Sequence, residues 1–182
     1  MPTIVVVPDE VKKLSLELRN YPRLLHQATA AAMNRTLTFI GAETKRQVKS
    51  EYAVTKSIQK ALKKTKATAS NLEAIAEYAD KPIPMFVFKF TAEANRFRSP
   101  ITVTIKKSSG AKTHKGSSPA LFKAYGKKIM RRESDEKTIR TAYTVSIPQM
   151  VANDEVYNVV AEKAMEYYAK RMKHEVEYRL SK

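Results

Sequence analysis

The sequence predicts an α+β fold with helices first, then a small antiparallel sheet, then one long helix. Two observations predict this order. Apolar residues recur at helical spacing in the first third of the chain and again after residue 153. Between these segments apolar and polar residues alternate, which is typical of antiparallel strands with one buried face. A chain of 182 residues is expected to form a single domain with its own core.

The N-terminal residues 1–8 are predicted to be an arm or an edge strand, because Pro8 ends a β-branched run there. This run consists of Thr3, Ile4, Val5, Val6 and Val7. Residues 9–18 fit two alternatives, which are a short helix capped by Asp9 and a strand with alternating leucines.

A long helix is predicted to begin at Pro22 and to run to about Tyr52. Proline suits a first helical turn, because the amide that it lacks would have no partner within the helix. A shorter helix capped by Thr55 is expected to follow, with lysines on its exposed side, and to end the helical part at residues 9–66. The predicted buried stripe of the long helix is Met33, Leu37, Ile40, Thr44 and Val48.

The antiparallel sheet is predicted within residues 70–150, where residues 72–78 and 121–125 are the weaker strand candidates. A loop at about 107–119 is rich in Gly, Ser and Lys and is expected to be a mobile hairpin tip. The strongest strands are expected to bury their alternate residues, namely Phe86, Phe88 and Phe90; Ile101, Val103 and Ile105; and Ile139, Thr141, Tyr143, Val145 and Ile147.

The last helix is predicted over residues 153–181, with Asn153 or Asp154 as its N-cap. Its expected packing stripe is Tyr157, Ala161, Met165, Tyr168, Met172 and Val176. Self-association is predicted to use the N-terminal β-branched run and three members of this stripe. The three members are Tyr157, Tyr168 and Met172.

The formal charge of +16 is concentrated in two stretches that contain no acid, residues 53–66 and 101–132. Such blocks in a chain that is otherwise nearly balanced predict a surface for DNA or for an acidic protein partner, although a solvated basic loop is the alternative. The predicted contact residues are Lys56, Lys60, Lys63, Lys64, Lys106, Lys107, Lys112, Lys115, Lys123, Lys127, Lys128, Arg131 and Arg132.

Phe122 and Tyr125 lie among these cations and have two interpretations. Nucleic-acid bases stack on exposed rings, but the same rings complete a half-buried strand.

Reactive groups are sparse in the sequence. The chain has no cysteine, its three histidines are far apart, and its four glycines form no nucleotide-binding fingerprint. We therefore expect no enzymatic activity, no cofactor and no metal. No apolar run reaches the ~20 residues that a membrane-spanning helix needs, so no membrane association is expected.

Short strings in a fixed order resemble the prophage minor tail protein Z family over almost the whole chain. The strings lie on the long helix, in the following turn, at the entry to the sheet and at its end. They are Ala32-Met33-Asn34-Arg35, Glu43-Thr44-Lys45-Arg46, Ser70-Asn71-Leu72, Pro82-Ile83-Pro84, Pro119-Ala120-Leu121-Phe122 and Ile147-Pro148-Gln149-Met150.

The resemblance implies a structural protein of a long-tailed bacteriophage or prophage particle. Such proteins complete the tail or join it to the head, commonly as rings around the DNA channel. The implied partners are other tail or neck proteins, and the implied location is the virion, with the host cytoplasm during assembly. A cellular nucleic-acid-binding module is the alternative function.

Overall fold

A computed structural model describes residues 22–92, 101–114, 121–123, 128–132 and 138–181, and their arrangement confirms the α+β class. The predictions for Thr3–Val7, residues 9–18, Lys115, Lys127 and Tyr125 lie outside the described residues. In chain order the elements are α1 (Pro22–Glu51), β1 (Leu62–Thr65), β2 (Ile75–Tyr78), β3 (Lys89–Ala92), β4 (Ile101–Thr104), β5 (Lys112–His114), β6 (Leu121–Lys123), β7 (Ile129–Arg132), β8 (Ile139–Thr141), α2 (Ile147–Val151) and α3 (Asp154–Leu180).

The described residues cluster into two compact units. The first, which we call the helical unit, contains residues 22–47, 59–79 and 151–181, with most of α1, the β1–β2 hairpin and α3. The second, the sheet unit, contains the described residues of 48–58 and 80–150. Each unit therefore draws on parts of the chain that are far apart in the sequence.

The helical unit is built on α1 and α3, whose predicted bounds are confirmed. Asn153 caps α3 by accepting a hydrogen bond from the Glu155 amide. The two helices run antiparallel, and small alanines of α1 allow larger side chains of α3 to pack closely against them. One buried cluster consists of Ala28 and Ala32 of α1 with Tyr168, Met172 and Val176 of α3.

The predicted lysine-rich helix after Thr55 is wrong. The chain makes one 3₁₀ turn, Gln59–Ala61, and then enters β1, which pairs antiparallel with β2. β1 lies close to α1 at Gly41, where a Cβ atom would be only 2.8 Å from the Leu62 Cδ2 atom. The short β-strand packs against the helix because glycine leaves room for it.

Asn34 joins the segment after β1 to α1. Its side-chain nitrogen donates to the Ala67 carbonyl oxygen, and its side-chain oxygen accepts from the Ala67 amide, both at 2.9 Å. Ala67 is buried, so these two backbone groups have little access to water. One amide side chain thus satisfies both groups, as a neighbouring strand would.

We expect Asn34→Leu to lower the free energy of unfolding by about 2 kcal/mol, because it leaves a buried donor and acceptor unpaired. Urea denaturation measures this loss. Thr38→Ala, one turn along α1, is the control, since the Thr38 hydroxyl is exposed and bonds only within its own helix. Equal stability of the two variants would contradict a role for Asn34 in holding Ala67.

The sheet unit contains two three-stranded antiparallel sheets, ordered β3-β4-β5 and β6-β7-β8. The segment Pro82-Ile83-Pro84 runs beside the chain that follows β8: the Met85 amide donates to Ala142, and the Thr144 amide donates to Ile83. This segment therefore continues the pairing of the second sheet beyond the end of β8.

The structure differs from the predicted sheet at several places. Residues 85–87, predicted to belong to the first strong strand, form a 3₁₀ turn, and β3 begins only at Lys89. The last strand was expected to continue through Tyr143 to Ile147. It ends at Thr141, and Ile147 begins the short helix α2. The loop at 107–119 includes β5, which pairs with β4, and Gly110 adopts a left-handed φ of 67° in their connection. Residues 129–132 form β7, for which the sequence shows only two apolar residues among cations.

The predicted buried face of the last strand is also wrong. Ile139 and Tyr143 are 44% and 57% exposed, whereas Ala142 on the other face is buried. The reason is the register, because the Ala142 amide donates to Ile129, the fully buried residue of β7. Pairing with Ile129 directs Ala142 inward and Ile139 and Tyr143 outward.

Candidate functional site

The described part of the sheet unit is strongly cationic. It contains twelve lysines and arginines but two acids, Glu51 and Asp80, whereas the described part of the helical unit has thirteen cations and nine acids. A charge imbalance that is much larger in one unit creates a local positive potential there, which attracts anions. The twelve cations are Lys49, Lys56, Lys81, Lys89, Lys106, Lys107, Lys112, Lys123, Lys128, Arg131, Arg132 and Arg140.

Besides Lys107, four of the predicted contact residues are exposed in the sheet unit, on β5, β6, β7 and just before β7: Lys112, Lys123, Lys128 and Arg131. Their positions follow from strand pairing. Lys123 lies opposite Ile129 of β7. Arg131 is two residues further along β7, on the same face as Ile129, and lies opposite Arg140 of β8.

The pair formed by Arg131 and Arg140 is unfavourable by itself. Directly opposed residues in an antiparallel sheet have Cβ atoms about 4.5–5.5 Å apart, and like charges at this distance destabilise the pairing. The register therefore opposes two cationic residues, and an anion beside them would offset their repulsion.

Other predicted contact residues have structural roles. Lys56 is half-buried and forms an ion pair with Asp80. The Lys107 ammonium donates to the Lys49 carbonyl, and the Lys107 amide donates to Glu51, so this residue caps the C-terminus of α1. Lys106 is half-buried beside Tyr52, with which it forms a β-bridge.

Three further predicted contacts lie in the helical unit. Lys60, Lys63 and Lys64 are exposed at the start of the β1–β2 hairpin, where Lys63 lies opposite Glu77. The two acid-free stretches therefore belong mainly to different units, and the sequence-based expectation of one shared surface stays a prediction.

The buried carboxylates of the helical unit are engaged in ion pairs. Glu43 accepts hydrogen bonds from Gln47, Lys163 and Arg46. Burial by itself raises the pKa of Glu43, but the three hydrogen bonds and the Lys163 charge outweigh it, so its pKa is lowered. A carboxylate held in this way stays ionised and is not suited to proton transfer.

Glu175 has the same kind of environment. Burial by itself raises the pKa of Glu175, but the hydrogen bonds and charges of Arg179 and Arg35 outweigh it, so the pKa is lowered. The Glu175 oxygens lie 2.6 Å from Arg179 Nη1 and 2.8 Å from Arg35 Nε. Arg35 and Glu43 belong to two of the strings that carry the family resemblance, and both stabilise the contact between α1 and α3.

The self-association residues require a correction. Tyr168 and Met172 are buried in the chain's own core, so they are not available to a second copy. The predicted packing stripe is displaced in the first half of α3, where Val156, Val160 and Ala164 are buried instead. Tyr157 is half-buried and Met165 is exposed, so the displaced part of the stripe lies nearer the surface.

Sequence reasoning missed the exposed face of the β6-β7-β8 sheet. Tyr143 and Ile139 are exposed on this face, and Arg132 lies over the Phe122 ring, with 5.9 Å between its Cζ atom and the ring centroid. The sequence holds one signal for the orientation of this face. Ala142 fits the buried position opposite Ile129, but this is evident only once residues 129–132 are recognised as a strand.

No group of three or more His, Cys, Asp or Glu in the described ranges has an arrangement that could hold a metal ion. None of the helices in those ranges combines the length and the apolarity required to cross a membrane. Comparison with protein-family models, with curated proteins and with solved structures finds no match for this chain.

Proposed function

We propose that this protein is a non-enzymatic structural component of a bacteriophage or prophage virion, a minor tail or tail-completion protein at the head–tail junction. It self-associates there and presents the sheet unit to DNA. The observation that carries the DNA-facing role is the charge of the sheet unit, where the described cations outnumber the described acids by twelve to two. The place in a virion rests on the family resemblance.

The helical unit supports this division of roles. Five ion pairs in this unit join cations to Glu43, Glu175 and Glu177, so several of its charges serve the packing of α1 and α3. In the sheet unit the exposed cations Lys123, Lys128 and Arg131 are available to a partner. A rigid helical scaffold with a cationic sheet suits assembly by shape and charge.

The contact with DNA is sequence-independent. Lysines and arginines neutralise phosphates and release counterions, which strengthens binding at low salt and weakens it steeply as salt rises. Neighbouring copies pack through surface residues of the helices, among them Tyr157, or through strand addition by Thr3–Val7.

The test is complementation of a phage that lacks this gene. A triple variant, Lys123→Gln with Lys128→Gln and Arg131→Gln, is expected to reduce infectious particles by at least tenfold while the protein still folds. The control removes three exposed cations of the helical unit, Arg23, Lys170 and Lys173. We expect near-normal infectivity from it, because the charge at issue is that of the sheet unit.

Electron microscopy of the particles separates the two parts of the proposal. Labelled protein found in the tail with normal infectivity of the triple variant would contradict the DNA-facing role alone. Absence of the protein from particles, with normal tails in the deletion strain, would contradict the virion role.

A cellular nucleic-acid-binding module is the second candidate, favoured by the exposed ring of Tyr143 in the cationic unit. It predicts tight, salt-sensitive binding by the isolated protein and no role in particle formation.

A further inference from the structure

The β6-β7-β8 sheet has an unusual solvent face. One face carries Leu121, Ile129 and, beyond β8, Ala142, which are buried, together with three exposed cations at its edges, Lys123, Arg131 and Arg140. The opposite face is therefore expected to be polar, as is usual for an antiparallel sheet that covers a core on one side only. It instead carries mostly apolar and aromatic residues, which are Phe122, Met130, Ile139, Thr141 and Tyr143, together with Arg132.

The register arranges these residues in rows. Phe122, Met130 and Thr141 lie opposite one another across the three strands, and Arg132 lies opposite Ile139 in the next row. Tyr143 follows Thr141 by two residues in the other direction, so its ring extends the same face. At ~3.3 Å per residue, Ile139 and Tyr143 are about 13 Å apart along the strand.

The backbone around Tyr143 is held on both sides. The Ala142 amide donates to Ile129 of β7 at 3.0 Å, and the Ala142 carbonyl accepts from the Met85 amide at 2.8 Å. Tyr143 also forms a β-bridge with Pro84. Tyr143 is 57% exposed although its backbone is fixed, so a ligand that stacks on its ring needs little ordering of the protein.

Two cations lie on or beside this face. Arg132 lies on it and stacks over Phe122, while Lys128 is exposed just before β7. Three more cations, Lys123, Arg131 and Arg140, are exposed on the same strands but belong to the opposite face, so they add positive charge nearby without lying beside the rings. The described residues of these three strands contain no acid. Rings on a sheet, bordered by cations, match the requirements of unstacked bases with their phosphates.

We propose that this face, with Tyr143 and Phe122 as its rings and Arg132 and Lys128 as its cations, binds single-stranded nucleic acid. The proposal rests on the DNA-facing role proposed above and adds the state of the strand. A duplex hides the flat surfaces of its bases within the stack, so it can use the cations of the face but not the rings. Exposed bases can use both, and single strands bind more tightly for this reason.

The test measures fluorescence anisotropy of a labelled oligothymidylate and of a labelled duplex of the same length. We expect wild-type protein to bind the single strand at least several-fold more tightly. Tyr143→Ala is expected to weaken binding of the single strand about tenfold, which is the loss of one stacked base, and to leave duplex binding unchanged. Tyr143→Phe keeps the ring and is expected to bind within about twofold of wild type.

Tyr178→Ala is the matched control, because Tyr178 is 50% exposed on α3 in the helical unit. Its affinity for the single strand is expected to equal that of wild type. The chain has no tryptophan, so tyrosine dominates its intrinsic fluorescence. We expect the single strand to quench this emission in wild type and to quench it less in Tyr143→Phe, which gives a second measure of stacking.

Equal affinity for single strand and duplex, with no effect of Tyr143→Ala beyond that of Tyr178→Ala, would overturn the single-strand site and leave the electrostatic DNA-facing role intact. Displacement of the oligothymidylate by polyglutamate at equal charge concentration would also overturn it and would identify an acidic protein as the partner. Loss of infectivity in the Lys123, Lys128 and Arg131 variant tests the electrostatic role separately, because this variant keeps both rings and Arg132 and removes only Lys128 from the single-strand face.

Discussion

Met172→Ala is expected to lower the free energy of unfolding by about 2–5 kcal/mol. Met172 is 1% exposed and packs with Tyr168 and Val176 against the alanines of α1. Its truncation removes buried apolar surface and leaves a cavity that the neighbouring helix can fill only in part. Urea denaturation at several protein concentrations measures the loss.

Met165→Ala is the control on the same helix, because Met165 is 48% exposed. We expect it to change stability by less than about 0.5 kcal/mol. A loss for Met172→Ala that grows on dilution would place Met172 between subunits and contradict its position in the core. A loss that is independent of concentration supports the core position.

Glu175→Gln is expected to lower the free energy of unfolding by about 2 kcal/mol at neutral pH. Glu175 is buried and accepts charged hydrogen bonds from Arg35 and Arg179, each of which contributes more than a neutral hydrogen bond. The effect is smaller than for a fully enclosed pair, since the Arg35 side chain is 55% exposed and can turn to water. Glu177→Gln, on the exposed side of α3, is the control.

We also expect the stability difference between wild type and Glu175→Gln to depend on pH. The pKa of Glu175 is lower in the folded protein than in the unfolded chain, where it is about 4.3. Its contribution to stability is therefore complete above the unfolded value and is lost as the pH falls through the lowered folded value. We expect the difference in melting temperature between wild type and Glu175→Gln to shrink below about pH 4. A constant difference down to pH 2 would contradict an ionised, paired Glu175.

The two long helices could be predicted from sequence because their signals are local. Pro22 suits a first turn, and Asn153 supplies the cap that the α3 amides need. The helix predicted after Thr55 failed for the opposite reason. Residues 59–65 become a 3₁₀ turn and β1, a strand that is stable through pairing with β2 and packing at Gly41, and both partners are distant in sequence.

The candidate site was predicted in part. The sequence indicated a cationic surface, and Lys123, Lys128 and Arg131 are exposed as expected. It did not show that Lys56 is paired with Asp80 or that Lys107 caps α1, because those partners come from other parts of the chain. It also did not identify Tyr143 as an exposed ring. Side chains alternate between the two faces of a strand with a period of two, and this pattern is the same whichever face is buried.

The sequence by itself determined the α+β class, the extents of α1 and α3 and the surplus of positive charge, because helix periodicity, capping and composition depend on residues that are close in the chain. Only the tertiary structure decided which face of the β6-β7-β8 sheet meets solvent, and which carboxylates and cations neutralise each other. Strand register and ion pairing join residues as far apart as Glu43 and Lys163. Their geometry arises when the chain packs and is encoded in no single segment.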